Sequence, residues 1–318
     1  MLDFLIDSRD IRGNKESTLR GKASALALQF KYMGHEDPTK FFMIKQFFKG
    51  VSKADAGTPA ARKLPVGRRH LLNAKTRLDL HASWGSACWA ALHLGYFFML
   101  RSNNYTAPGG NKAFDPARIL MRRDVTFLIG ESATELTPVM APFISSVHLF
   151  IKSTKTDQRG AGYARTLHKT NDPDLCVVRA LVRHFMNTVG APDDWPVTAY
   201  YTEQGRARRT RGVVTRKDVA DLLKAAGTAL GEPADGLGSH SLRIGGATAL
   251  HSTGTQDSTI MWFGNWSSPT YLIYCRATKD LADHFAAIMA RADVVVHRED
   301  LDDQALRRAR PLYGGIKA

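Results

Sequence analysis

Two tyrosines stand three residues apart in "GNWSSPTYLIYCR", residues 264–276: Tyr271 and Tyr274. A phenol ionises near pH 10, so only about one in a thousand is phenolate at pH 7, a deficit of about 4 kcal/mol. Chemistry at either tyrosine would therefore need a cation or a base close by. The stretch "SHSLRIGGATAL", 239–250, places His240 and Arg243 three residues apart, on one face of a helix. Beside the small residues that follow, such a pair could grip a phosphate. Arg101 closes the apolar run "GYFFMLR", where a charge is costly unless a partner or ligand meets it. Lys152 and Lys155 flank a turn in "IKSTKTDQRGAG" and could swing into a groove. Each feature also has an ordinary structural reading. The tyrosines could face a core, Arg243 could be solvated on a capped helix, Arg101 could extend its head to water at a helix end, and the lysines could simply decorate a hairpin tip.

The surrounding elements must position these residues. Leu19, Ala23, Leu26 and Phe30 recur at helical spacing within 16–34, and Gly34 stops that helix. In "EDPTKFFMIKQFFKG" Asp37 caps, Pro38 takes the first helical position and Gly50 ends the helix. "VSKADAGTPAARKLPVG" is rich in Gly, Ala, Pro and basic residues and reads as a linker. Residues 68–101 read as two helices broken near Ser83, the second apolar nearly all round and hence buried. Strands are expected at 122–129, 146–152 and 162–168. Helices follow at 175–188, 215–228, 240–252, 257–263, 267–275 and 278–292. Gly245 and Gly246 within the 240–252 helix would let another backbone approach closely. A small antiparallel sheet among helices makes an α+β fold, mainly helical. The domains expected are a helical domain over 1–66, a second domain over 67–292 and a polar tail over 293–318.

The chain has 318 residues, ample for a real core, and a net charge of +14 that favours a polyanionic partner. Residues 1–66 carry +5, residues 67–277 carry +9, and residues 278–318 are balanced. A generically basic protein would share that charge. Arg206, Arg208, Arg209 and Arg211, in the "GRARRTRG" loop, are candidate contacts to a nucleic-acid backbone, or a solvated loop or nuclear-import signal. Three scattered cysteines, Cys88, Cys176 and Cys275, argue against a disulfide framework or a zinc site and for a reducing compartment. No apolar run has the length of a membrane span, and "MLDFLIDSRD" does not read as a signal peptide.

Taken in order, an arginine, a hairpin lysine, His-x-x-Arg, Gly-x-Trp and a tyrosine resemble the tyrosine recombinases, the phage-integrase-like family. "LRSNN", "STKTDQRGAG", "HSLRIGGATAL" and "GNWSSPTYLIYCR" carry the resemblance, which covers roughly 12–277. The style is similar to the eukaryotic, retroelement-associated branch of DIRS-like and Crypton-like elements. The resemblance implies a helical, SAM-like core-binding domain ahead of a catalytic domain. Tyr274, ten residues after Gly264, would be the nucleophile and Tyr271 its packing neighbour. Arg101 and Arg243 would hold the non-bridging phosphate oxygens, and Lys155 would protonate the leaving 5′-oxygen. His240 would manage the proton on the tyrosine side or bind phosphate, and Trp266 would support the site. Lys152 joins the four arginines as a candidate DNA contact. No cofactor, metal or ATP is implied. The partners implied are double-stranded DNA and further copies of the chain, in a tetramer that exchanges C-terminal helices, with no membrane. Nuclear residence is favoured, bacterial cytoplasm being the alternative.

Three departures stand against the family pattern. Asn104 occupies a position usually acidic, Asn265 one where many members have His or Trp, and the N-terminal domain is short by about two helices. They keep two other readings open: an inactive, domesticated DNA-binding protein, and a type IB topoisomerase-like activity.

Overall fold

In the computed structural model, residues 1–56, 63–108, 114–152, 161–204, 208–268 and Leu272 are described, with the side chains of 203, 204, 208 and 209 left aside. The backbone divides into two compact units, Met1–Arg62 and Lys63–Ala318.

The first unit holds three helices, α1 (Leu2–Asp10), α2 (Glu16–Tyr32) and α3 (Phe42–Asp55). Leu5, Leu19, Ala23, Ile44, Phe48 and Val51 form its core. Asp37 does cap, accepting from the Thr39 amide at 2.9 Å, but it caps a short 3-10 turn over Pro38–Lys40. The α-helix starts at Phe42 and runs through Gly50, where the sequence had suggested an end. A glycine inside a helix costs about 1 kcal/mol. Burial of Val51 on the stripe begun by Ile44 and Phe48 offsets that cost. Asp55 then ties the helix end to its neighbours, pairing with Arg9 at 2.6 Å and accepting from the Glu16 amide at 3.0 Å. Helix α1 was not foreseen, since the acids among its apolar residues obscure the period.

The second unit begins earlier than the expected boundary at residue 67. Leu64 donates its amide to the Gly236 carbonyl at 2.7 Å and Val66 to that of Ser241 at 3.1 Å, so "KLPV" is bonded into this unit. Helices α4 (Arg68–Lys75) and α5 (Ser83–Phe97) follow. Every residue from Gly85 to Gly95 is buried, as an all-round apolar helix must be. The sheet runs β2-β1-β3-β4, all antiparallel, from β1 (Val125–Ile129), β2 (Ser132–Thr134), β3 (Ser146–Ile151) and β4 (Tyr163–His168). Residues 122–124, expected in the first strand, form a 3-10 turn instead, with the Asp124 carboxylate accepting from the Met121 amide at 2.8 Å. Strand β2 is short and polar and gave no alternating signal.

Helix α6 (Val177–Asn187) packs on α5. A separate two-stranded ribbon joins β5 (Ala199–Gln204) to β6 (Arg208–Val213), so much of the "GRARRTRG" segment is strand rather than the loop expected. Tyr201 is registered with Arg211, and the ladder reaches Gln204 and Arg208. Helices α7 (Arg216–Ala229), α8 (Ser239–Ser252) and α9 (Asp257–Gly264) complete the described part. Thr215 caps α7 by accepting from the Asp218 amide at 3.1 Å. The two glycines of α8 do admit close neighbours. A Cβ at Gly245 would overlap the Val66 carbonyl, and one at Gly246 the Tyr96 carbonyl. The architecture is α+β and mainly helical. The helices expected over 267–275 and 278–292 lie outside the described residues, apart from Ser267, Ser268 and Leu272.

Candidate active site

Arg101 is delivered by the end of α5. The backbone turns left-handed at Met99, φ 49°, and Arg101 then caps a 3-10 turn over Ser102–Asn104. Asn104 is buried and braces that turn. Its amide nitrogen donates to the Arg101 carbonyl at 2.8 Å, its side-chain Nδ2 donates to the Arg118 carbonyl at 3.0 Å, and its own carbonyl accepts from Leu120 at 2.7 Å. A neutral amide thus anchors the arginine's backbone to the segment before β1.

Helix α8 supplies the other cationic residue. Ser241 accepts from the Gly238 amide at 3.1 Å and starts the helix. His240 stays exposed on its first turn. Its pKa is drawn below the usual imidazole value, first by desolvation of the ring and then by the charges of Arg243 and Arg101. A pKa below that value favours the neutral imidazole. Arg243 is only 2 % exposed. Its Nη1 donates to the Met99 carbonyl and its Nη2 to the Gly264 carbonyl, the latter at 2.7 Å. The Trp266 ring lies against the guanidinium, 4.0 Å from Cζ to the ring centroid. Two carbonyls and an aromatic face compensate the desolvation of a charge that would otherwise be prohibitive.

The Gly264–Trp266 corner is built for this contact. Asn265 is left-handed, φ 52°, as the cap of α9. A Cβ at Gly264 would overlap the Trp266 ring, so the position excludes any side chain. Trp266 itself is buried against Met99, Ala247 and Ile260. Among the described residues, Met99 and Asn265 are the only left-handed non-glycines. Arg243 holds the carbonyl of the first and that of the residue preceding the second. Strained backbone of this kind persists where surrounding contacts over-determine it.

Arg101, His240, Arg243 and Trp266 are thus brought together. Lys155, Tyr271, Tyr274 and Arg206 lie outside the described residues. Lys152 is not at a free tip, since it pairs with the buried Asp124 at 2.7 Å. Arg211 projects from β6 and lies near two rings, 5.2 Å from that of Phe114 and 5.8 Å from that of Trp195. Arg208 and Arg209 lie on the same strand. Among the described residues no three His, Cys, Asp or Glu side chains gather as a metal site, and no helix is long and apolar enough to cross a membrane.

Two residues at the site escaped the sequence reading. Tyr163 and Arg165 share the inward face of β4. Burial raises the Tyr163 phenol pKa, while the charges of Arg243, Arg165 and Arg101 oppose that rise. Arg165 is 8 % exposed and donates to the Trp262 and Phe263 carbonyls, the latter at 3.3 Å. A charged residue at an inward position of an alternating strand was the available signal.

No protein-family model matches the sequence, and no curated protein matches it. Solved structures do. The XerH site-specific recombinase, bound to a palindromic difH substrate in a post-cleavage complex, superposes with a TM-score of 0.55 at 16% identity, over 91% of this chain and 71% of that one. The Tn1549 transposon integrase, in complex with circular-intermediate DNA, gives 0.48 at 13% identity, over 90% and 83%. XerA recombinase gives 0.41 at 14% identity, over 92% and 91%. The first superposition shows an architecture shared with the XerH recombinase. With the site geometry above, it makes this chain a protein of the tyrosine-recombinase fold.

Proposed function

We propose that the protein is a site-specific DNA recombinase or integrase that cuts and rejoins strands through a 3′-phosphotyrosyl intermediate. The observation that carries this reading is the convergence of Arg101, His240 and Arg243, with Trp266 stacked on Arg243, in a chain with the fold of a site-specific recombinase. The Tyr274 oxygen would attack phosphorus, forming the Tyr–O–P bond as the bond to the 5′-oxygen breaks. Neutral His240 would accept the phenol proton or bind a phosphate oxygen. Lys155 would give a proton to the departing 5′-oxygen. Arg101 and Arg243 would hold the non-bridging oxygens where negative charge develops, each such donor being worth about 3 kcal/mol. The bond energy is retained in the phosphotyrosine, so the reverse steps reseal the strand without ATP.

Basic segments on both units and the arginines of β6 suit a duplex partner. Assembly as a tetramer on DNA with exchange of the C-terminal helix, and residence in a nucleus, belong to the same proposal. The test is covalent trapping. Purified protein is mixed, without metal or ATP, with nicked suicide duplexes drawn from DNA flanking its gene. An SDS-resistant adduct that disappears in Tyr274→Phe is the expected result. Clear DNA binding with no adduct would favour the inactive DNA-binding reading, which the neutral Asn104 and the small first-unit core support. Strand joining between two duplexes separates recombination from topoisomerase-like relaxation of one.

A further inference from the structure

Arg165 is a buried cation that the proposed reaction does not use. It sits on β4, the strand that leads out of the segment carrying Lys155. Its side chain crosses to the last turn of α9. Nη2 donates to the Trp262 carbonyl, Nε to the Phe263 carbonyl at 3.3 Å, and Nη1 to its own neighbour Ala164 at 2.7 Å. The guanidinium lies 3.9 Å from the centre of the Trp262 ring and 4.7 Å from that of Tyr163. The carbonyls at a helix C-terminus lack intrahelical partners and carry the negative end of the dipole, so a fork-shaped cation suits them.

The next residues along the chain are those that Arg243 holds, Gly264 through its carbonyl and Trp266 through its ring. Two arginines from different elements therefore grip four of the five residues 262–266, and Tyr274 lies eight positions further on. Arg243 ties that stretch to α8 and to the Arg101 turn. Arg165 ties it to the sheet. A lysine at 165 has one compact donor head in place of the planar fork and cannot reproduce this set of bonds.

We propose that Arg165 is a positioning residue, fixing the last turn of α9, from which the chain runs on to Tyr274, against strand β4. It touches no reacting atom and acts through the place it gives the nucleophile. The inference rests on the strand-transfer reading above.

Leaving-group chemistry separates its possible routes of action. A duplex with sulfur in place of the bridging 5′-oxygen at the scissile position expels a thiolate, which needs no proton donor. Adduct formation is followed at saturating DNA for the wild type, Arg165→Lys, Arg165→Met and Lys155→Ala, on matched oxygen and sulfur duplexes. Duplex affinity and melting temperature are measured alongside. We expect both Arg165 variants to bind DNA within about twofold of wild type. Their adduct rate should fall roughly 10²-fold, the loss that an ångström of misplacement costs. The deficit should remain on sulfur, whereas that of Lys155→Ala should be relieved. Relief by sulfur would overturn the proposal, placing the effect on the lysine side. A full adduct rate in Arg165→Lys would overturn it too, leaving the strand-transfer reading intact. Collapse of the melt in both variants would make Arg165 a general support of the domain, which also defeats the proposal. A wild type that binds duplex yet forms no adduct would instead bring down the strand-transfer reading itself.

Discussion

Arg101 and Arg243 have the same side chain and, in the proposed reaction, the same task, but the protein spends them differently. Arg243 is buried and shared between two main-chain carbonyls and the Trp266 ring. Arg101 is partly exposed, and no carboxylate pairs with it among the described residues. Arg101→Lys should therefore lower adduct formation about 10²–10³-fold and leave the melting temperature within a degree or two. Arg243→Lys should lower both, with a stability loss on the order of 3 kcal/mol because buried carbonyls lose their donors. Thermal melts beside trapping gels check the pair. Tyr274→Phe should abolish the adduct and preserve DNA binding, while Tyr271→Phe should keep both; the reverse pattern in the gel would exchange their roles. Acid tells on other residues. Burial pushes His93 down to about 4 and His184 down to about 3, both below the ordinary imidazole value of 6.5. The unfolded chain binds more protons than the native one at pH values between the folded and unfolded pKa values, so stability falls as pH drops below about 6.5. A melting temperature that declines from pH 7 to pH 4 is expected, and replacing His184 by Gln should flatten the curve. Arg101, His240 and Arg243 were legible only in their order along the chain, because a buried-run arginine or a His-x-x-Arg pair is a weak signal alone. The partners of Arg243 were not, since they depend on left-handed turns at Met99 and Asn265, residues with no glycine to announce them.

At the scale of elements, the helices declared themselves wherever an apolar stripe was uninterrupted, as in α2, α5, α6 and α7. Boundaries failed where tertiary contacts overrode a local stop. Gly50 sits mid-helix because Val51 beyond it is buried, and β6 was obscured by consecutive arginines that hide a period of two. The glycines make this testable. A Cβ at Gly50 meets nothing within 4 Å, so Gly50→Ala should stabilise the first unit by about 0.5–1 kcal/mol. Gly245→Ala would push α8 off the Val66 carbonyl and should cost about 1–3 kcal/mol. Chemical denaturation of the two variants should move the midpoints in opposite directions. The β4 strand was found from its bounding glycine and its β-branched and aromatic content, yet its inward arginine was passed over, because pattern reading treats charge as an outward mark.

Across the whole molecule, the first unit has a core of six buried residues, and the second has a core of its own that begins at Val66. A fragment comprising residues 63–318 should fold and melt independently. On the proposed function it should bind duplex DNA more weakly and with a shallower dependence on salt, since any phosphate contacts made by the first unit would be lost and each would contribute about −0.9 to the slope of log K against log salt. Affinities of both forms at several ionic strengths check this. The double employment of Arg243 has a further consequence for related copies of the gene. In a copy that no longer cuts DNA, loss of Arg101 or His240 would be tolerated, whereas loss of Arg243 would undo the α8–α9 corner. Such a copy would keep Arg243 for as long as it folds. Persistence of that arginine is therefore a record of architecture, and under the proposed reaction the informative marks of a living enzyme would be Arg101, His240 and Tyr274.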